Sequence, residues 1–405
     1  MEQQRKVRAE VKLPLILIHT PFGLDFFDRV AKWPGAKTWA NVNAYFMPLI
    51  TALAIFLIVG SLAVLFSNAD ARAGVSSLGP QANLLIPGLN PYLPITYGWV
   101  ALVVTIIIHE AGHGILARVY NIRVDSTGIV LLLGLPIGAF VNIERDELAK
   151  ATLKQKSAVL TAGPLNNMIL AGLSLLALFL IMSTLTPILD SNVPQFGALV
   201  VSVNPGSLAE SIGLSQGSVI QTVAGQEMRT LENLSDALRG NLGQTVDIAW
   251  IEQSGQSVTK SVALPESVEP GRGTLGIGVS TLSTPGDVLE RYKGAFGSNP
   301  LAILLPPTIQ QGSVPYSDLM APKYESSIGP SWAIIANMLF WLWFVNFNVG
   351  IFNALPIGPL DGGQLYGSIL EKKIKSAAIA KHAANLLTIA MVAIVAASIL
   401  LPYVR

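Results

Sequence analysis

The stretch "YGWVALVVTIIIHEAGHGILARVY", residues 97–120, is apolar and long enough to cross a membrane, yet ionisable side chains lie near its centre. A helix of about 20 apolar residues spans a bilayer. Ionisable groups inside such a helix are costly and mark functional sites by default. They are His109, Glu110 and His113. We therefore predict a functional site within the membrane.

The spacing of the two histidines favours a metal site. Residues four apart on a helix share a face, so His109 and His113 can bind one ion. In HExxH proteins two imidazoles bind zinc and the glutamate takes a proton from the bound water. Small residues at Ala111, Gly112 and Gly114 let another helix approach closely. The alternative is a helix whose histidines are merely buried and hydrogen-bonded.

The composition is that of a membrane protein. Of 405 residues, 51% are hydrophobic and 13% are charged, whereas soluble domains carry about 25% charged residues. A net charge of +1 gives no basic field for nucleic acid, so we expect no nucleic-acid partner. Because the chain has no cysteine, a metal must be held by histidine, aspartate or glutamate.

Apolar length predicts a polytopic α-helical protein with about five transmembrane helices in contact with the lipid bilayer. The predicted spans are residues 48–66, 97–120, 157–185, 330–355 and 377–401. The first three belong to a transmembrane part at 47–189 and the last two to a second part at 330–405.

Lysine and arginine set the orientation of short loops. Residues 1–46 hold seven of them, residues 68–96 hold only Arg72, and residues 118–156 hold six. This alternation predicts a cytoplasmic N-terminal segment at 1–46 and an extracytoplasmic 68–96 loop in a multi-pass protein of the cell membrane.

Two segments do not span. We expect a helix on the inner membrane surface, or a partly ordered tail, in residues 8–46. Residues 124–143 are apolar but interrupted by glycine and proline. This pattern favours a membrane-associated β-hairpin covered by protein, with a sixth, kinked span as the alternative.

A change of composition marks an inserted domain. Residues 190–282 are polar, rich in glycine and β-branched residues, and predict a small, extracytoplasmic α+β domain. Residues 283–329 form a linker, in which Val288, Leu289, Tyr292 and Phe296 share one helical face. We expect this amphipathic segment to lie on the outer membrane surface.

A catalytic zinc needs a third protein ligand and an open position. The segment "VNFNVGIFNALPIGPLDGGQ", residues 345–364, places Asp361 beside an apolar span. Its asparagines, including Asn353, either bind substrate or join helices by hydrogen bonds. A second polar island, "AGPLNN" at 162–167, contains Asn166, which either donates to a developing oxyanion or packs between helices.

Together these segments resemble the site-2 protease family of intramembrane zinc metalloproteases. "HEAGH" (109–113), "AGPLNN" (162–167) and "NALPIGPLDGG" (353–363) carry the resemblance. It implies one zinc per chain, held by His109, His113 and Asp361. It also implies Glu110 as general base, with Asn353 and Asn166 as groups that bind substrate or stabilise the oxyanion.

The resemblance implies cleavage of transmembrane helices in membrane-tethered proteins, with the hairpin pairing with an unwound substrate strand. The inserted domain resembles a PDZ domain, on "NPGSLAESIGLSQGSVIQTVAGQ" (204–226). Such a domain either binds a peptide or substrate tail or excludes bulky substrates. Rival interpretations are a metal transporter, a prenyl-protein protease, whose third ligand is a glutamate, and a non-catalytic scaffold that presents the PDZ-like domain.

Overall fold

The computed structural model describes residues 7–133, 135–188, 196–252, 254–267, 273–298, 303 and 306–404. Its helices are α1 (Leu24–Ala31), α2 (Ala36–Asn43), α3 (Met47–Ser67), α4 (Ala69–Leu78), α5 (Ile95–Val119), α6 (Arg145–Lys150), α7 (Leu153–Met182), α8 (Leu208–Ser211), α9 (Leu231–Gly240), α10 (Pro285–Ser298), α11 (Trp332–Asn353), α12 (Asp361–Lys373) and α13 (Ala377–Leu400). Its strands are β1 (Arg8–Lys12), β2 (Leu15–Thr20), β3 (Val124–Leu132), β4 (Leu135–Ile143), β5 (Leu185–Pro187), β6 (Ala198–Val203), β7 (Val219–Val223), β8 (Gln226–Glu227), β9 (Thr245–Ile251), β10 (Ser257–Ala263), β11 (Ile277–Thr281) and β12 (Tyr324–Ser326).

Five of the helices formed by the described residues are long and apolar enough to cross a membrane. They are α3, α5, α7, α11 and α13, the last continuing to Tyr403. A helix long and apolar enough to span is therefore present at each of the five predicted positions, with ends that shift by a few residues. The largest change is at α7, which begins at Leu153 and contains Pro164.

The chain divides into two compact units, one of residues Met1–Leu180 and Ile334–Arg405 and one of Ile181–Ala333. In the first unit, α3, α7, α11 and α13 share an apolar core. Gly350 on α11 lies against α7, since an added Cβ would lie 3.2 Å from the carbonyl oxygen of Pro164. Close backbone approach of this kind is typical of helices that pack in a membrane, where the hydrophobic effect does not drive them together.

The N-terminal segment corrects the prediction of a partly ordered tail. The described residues 7–46 form β1, β2, α1 and α2, so helices are present, and their placement on the inner membrane surface stays a prediction. The two strands pair with each other and β2 pairs with β3, giving a four-stranded antiparallel sheet in the order β1-β2-β3-β4. β2 is apolar and finds ladder partners on both sides, which explains why a segment too short to span becomes ordered.

Residues 124–143 form the antiparallel pair β3–β4, so the expected hairpin is present, with Gly134 outside the described residues. Its insertion into a membrane stays a prediction. Helix α5 packs against both strands, which places the outer edge of β4 next to the helix that carries the two histidines.

In the second unit, a sheet in the order β10-β9-β7-β6-β11 forms the inserted domain, with β8 paired to β7. Its core includes the fully buried side chains of Trp250, Ile248, Ile220 and Met228. The α+β character predicted for this segment is present, since strands β6 to β11 alternate with the helices α8 and α9. Residues 189–195 and 268–272, within the predicted domain bounds, lie outside the described residues.

The amphipathic helix α10 corrects a second prediction. Val288, Leu289 and Tyr292 are all less than 7% exposed, and the hydroxyl oxygens of Tyr292 and Tyr316 lie 2.6 Å apart. Burial raises the pKa of the Tyr292 phenol well above its usual value. Three of the four residues of the apolar face are thus covered by protein, and only Phe296 is partly exposed.

The five spans and the charge distribution together predict the side of each loop. Because the chain has no native cysteine, single substitutions at the exposed residues Ala73, Lys150 and Lys372 can be labelled without background. On intact cells an impermeant thiol reagent should label Ala73→Cys, while Lys150→Cys and Lys372→Cys should react only after lysis. Labelling of Lys150→Cys in intact cells contradicts the orientation.

A candidate metal centre and its cavity

Three distant side chains meet in the first unit. Helix α5 presents His109 and His113 one turn apart, and Asp361 is the first residue of α12. The carboxylate oxygen Oδ2 of Asp361 lies 3.2 Å from Nε2 of His109 and 3.3 Å from Nε2 of His113. All three residues are less than 10% exposed.

The "LDGG" segment explains how Asp361 reaches this place. Helix α11 ends at Asn353, and the chain turns back through residues 354–360 before α12 begins. An added Cβ on Gly362 or Gly363 would collide with backbone atoms of residues 354–358. The two glycines therefore let the first turn of α12 pack directly on the loop, which holds the carboxylate opposite α5.

The donor set fits a tetrahedral metal ion. Zinc lies about 2.0–2.1 Å from histidine nitrogen and carboxylate oxygen, so two ligands of one tetrahedron are about 3.3 Å apart. That is the separation between Asp361 and each imidazole here. Oδ2 of Asp361 is buried and has no hydrogen-bond partner among the described residues. A cation between the three atoms satisfies this buried oxygen, and the group could therefore bind a metal.

Helix α7 orients both imidazoles. Nδ1–H of His113 donates to the carbonyl oxygen of Val159 at 2.7 Å. This bond puts the proton on Nδ1 and leaves the lone pair of Nε2 for a metal. Nδ1 of His109 lies 3.0 Å from the side-chain amide of Asn167, which is fully buried.

If His109, like His113, carries its proton on Nδ1, a hydrogen-bond acceptor must lie opposite this nitrogen. The amide oxygen Oδ1 of Asn167 has no partner among the described residues in the orientation given. Since the oxygen and nitrogen of an amide are assigned from hydrogen bonding, the orientation with Oδ1 facing Nδ1–H satisfies both groups. Asn167 then holds His109 as the carbonyl of Val159 holds His113.

Two glycines allow α5 and α7 to come this close. An added Cβ on Gly112 would lie 2.8 Å from the carbonyl oxygen of Ala162. An added Cβ on Gly163 would lie 2.6 Å from Nε2 of His109 and would also collide with Nε2 of His113. Gly163 therefore keeps open the space between the imidazoles and α7.

Glu110 lies beside this cluster and is tied to the sheet. Its carboxylate oxygen Oε2 accepts a hydrogen bond from the backbone N–H of Val141 on β4 at 2.9 Å. Glu110, the three candidate ligands and Val141 line the same cavity of about 610 Å³. The candidate base is therefore next to the candidate metal site, but one of its oxygens is engaged by the backbone.

Asn353 and Asn166 differ in their placement. Asn353 lines the cavity and donates one amide hydrogen to the carbonyl oxygen of Val349 at 3.0 Å. Its second hydrogen can serve a ligand, because a side-chain amide carries two. Asn166 lies outside the lining of the cavity, with its amide against Gly112. Its neighbour Asn167 makes the contact with His109, so the structure does not support Asn166 as an oxyanion donor.

The sequence reasoning missed the N-terminal wall of the cavity. Arg8, Glu10, Lys12 and His19 of the β1–β2 hairpin line it. Lys12 lies 2.8 Å from Glu10 and, mainly through its hydrogen bond, lowers the pKa of that carboxyl. Nδ1 of His19 on β2 lies 2.9 Å from Oγ of Ser126 on β3. The alternation of charged residues in "RAEVK" was the sequence pattern that could have indicated strand β1.

The fold and the site define a class of protein: an integral membrane protein with a buried group of two histidines and one aspartate that could bind a metal. Residues 97–398 match peptidase family M50, which covers well over half of the chain. The chain therefore belongs to peptidase family M50, and at the level of this family it is a membrane metalloprotease of the site-2 protease type.

Curated relatives agree with this assignment at modest identity. A putative zinc metalloprotease of Clostridium perfringens is 25% identical over 324 residues, 71% of this chain and 91% of the relative. The regulator of sigma-W protease RasP of Bacillus subtilis is 29% identical over 226 residues, 54% of this chain and 50% of the relative. An uncharacterised protein of Methanocaldococcus jannaschii is 25% identical over 357 residues, 88% of this chain and 77% of the relative.

Gly163→Ala should abolish metal binding, because its methyl group would occupy the space beside both imidazoles. The expected result is loss of the bound metal from purified protein, measured by elemental analysis. Gly172→Ala is the matched control in the same helix, since an added Cβ there meets nothing within 4 Å. A metal content of Gly163→Ala equal to that of the control contradicts the site.

Asn167→Ala should weaken metal binding by about 10–100-fold, the usual cost of removing the group that orients a histidine ligand. Competition with a chelator of known affinity measures this change. Asn166→Ala removes the neighbouring amide, which does not contact His109, and should leave the affinity within a factor of about two. Equal weakening by both variants would point to a general loss of helix packing.

Proposed function

We propose that this protein is an intramembrane zinc metalloprotease that hydrolyses peptide bonds within or next to transmembrane helices of membrane-tethered proteins, as in regulated intramembrane proteolysis. The convergence of His109, His113 and Asp361 at 3.2–3.3 Å beside Glu110, within a bundle of apolar helices, is the observation that carries the proposal. The M50 match and relatives named as zinc metalloproteases support it.

Each residue of the site has a role in this proposal. His109 and His113, oriented from α7, and Asp361 hold one zinc ion per chain. A zinc ion held by these residues would supply Lewis acidity toward a scissile carbonyl and the attacking water. Glu110 accepts the proton of the attacking water at its carboxylate and delivers it to the leaving amine. Asn353, with an amide hydrogen to spare, donates to the developing oxyanion.

The substrate must present an extended backbone, because a helix buries its scissile carbonyls in its own hydrogen bonds. Glycine, proline or polar residues in the substrate lower the cost of unwinding. Strand β4 ends the four-stranded sheet, and its residues 140–143 line the cavity. We propose that an unwound substrate segment adds to the edge of β4, which brings its carbonyls toward the metal centre.

We further propose that the inserted domain is PDZ-like and works as a size filter that excludes substrates with large outer domains. In a PDZ domain a peptide adds as a strand to an exposed sheet edge. Here β6 is paired on both sides, with β7 and with β11, and the helix α9 contacts β11. Occupation of this edge by the chain's own strand argues against peptide binding at β6, which leaves the size filter as the role that we propose.

Glu110→Gln should retain the metal and lose proteolysis, because the amide cannot accept the proton of the attacking water. A loss of about 10³-fold or more is expected, as for removal of a general base together with its charge. Purified protein in detergent is incubated with a panel of synthetic transmembrane peptides, with and without a zinc chelator, and fragments are identified by mass spectrometry. Glu371→Gln, an exposed residue of α12, is the control that should keep activity. No cleavage by the unmutated protein rules the protease proposal out, and cleavage insensitive to the chelator rules out its dependence on a metal. Cleavage by Glu110→Gln rules out Glu110 as the base.

A further inference from the structure

The outer edge of β4 has a defined set of unpaired backbone groups. In an antiparallel strand, N–H and C=O groups of one residue point to the same side, and successive residues alternate. The N–H of Glu144, directly after β4, donates to the carbonyl oxygen of Arg123 on the β3 side. The N–H of Val141 points the other way, to Glu110. By this alternation Ala139, Val141 and Ile143 present their backbone groups outward.

At Val141 this outward position is filled. Oε2 of Glu110 accepts the N–H at 2.9 Å, at the place where a carbonyl oxygen of an added strand would accept it. One N–H makes one good hydrogen bond, so Glu110 and a substrate carbonyl compete for the same donor. The carboxylate of the candidate base therefore stands in for a substrate carbonyl on this edge.

We propose that Glu110 and the Val141 amide form a substrate-operated latch, in which a peptide strand that pairs with β4 takes the Val141 N–H and releases the carboxylate of Glu110. Oε2 of Glu110 is then free to accept the proton of the attacking water, so this oxygen is available only when a peptide lies on the edge. This inference rests on the proposed protease function and names its control step.

The test measures peptide binding in proteins that do not cleave. Glu110→Gln keeps the latch, because the amide oxygen of glutamine still accepts from the Val141 N–H. Glu110→Ala removes the acceptor and leaves the N–H open to a peptide. The probe is a fluorescent, synthetic apolar peptide with glycine and asparagine at its centre, bound to zinc-loaded protein in detergent. Glu110→Ala should bind it about three- to tenfold more tightly than Glu110→Gln, the usual net worth of one hydrogen bond.

Val141→Pro distinguishes the latch from an effect of the larger cavity that Glu110→Ala leaves. Proline removes the N–H, and the outward side of an edge strand is where proline is tolerated. In the Val141→Pro background the difference between Glu110→Ala and Glu110→Gln should vanish, whereas a difference caused by cavity size would persist. Ile143→Pro is the matched control, since it removes an outward N–H that Glu110 does not contact, and the difference should remain there.

Hydrogen exchange gives a readout that needs no proline. Exchange at Val141 should be faster in Glu110→Ala than in Glu110→Gln, and the added peptide should slow it again in Glu110→Ala. Equal binding and equal exchange in the two variants overturn the latch while leaving the protease proposal intact. The absence of peptide cleavage by the unmutated, zinc-loaded protein, by contrast, overturns the protease proposal itself.

Discussion

The contact between α5 and α7 is the constraint on which the rest of the site depends. Two imidazoles cannot be buried in an apolar bundle unless each ring nitrogen has a partner. Helix α7 supplies partners for the Nδ1 atoms through Val159 and Asn167. It can do so only because Gly112 and Gly163 bring the two backbones close together.

Because the Nδ1 atoms have their hydrogen-bond partners, the Nε2 atoms of both histidines are left to face Asp361. The negative charge of this buried carboxylate then needs a positive partner. An unpaired carboxylate in such a place costs several kcal/mol, whereas a divalent cation between three ligands turns that cost into binding energy. The close packing that makes the site also makes it intolerant of small changes. One methyl group at position 163 is enough to fill it.

The sheet β1-β2-β3-β4 places a hydrogen-bonding edge beside this centre. Edge strands attract other strands because their backbone groups are unpaired. In this protein the edge of β4 faces a cavity that also contains the candidate base, and the base itself covers one of the edge donors. In the proposed latch, peptide capture and proton transfer draw on the same backbone group, which would couple binding to chemistry without movement of a domain.

The N-terminal hairpin extends the same sheet and lines the far wall of the cavity with charged groups. Its strands were not predicted from the segment itself, because β1 is short, polar and exposed. Its order comes from pairing with β3 across more than a hundred residues of chain. Long-range pairing of this kind leaves only a weak local pattern.

The sequence by itself determined the five spans, the hairpin, the α+β insert and the three candidate ligands. Apolar length, strand alternation and the cost of ionisable groups in lipid are local signals that survive without the fold. Only the tertiary structure decided that Asn167, not Asn166, orients His109, that β11 fills the edge of β6, and that Glu110 is tied to Val141. These three contacts join elements that are distant in the sequence. They depend on which faces of those elements pack together, and the spacing of residues along the chain does not determine that packing.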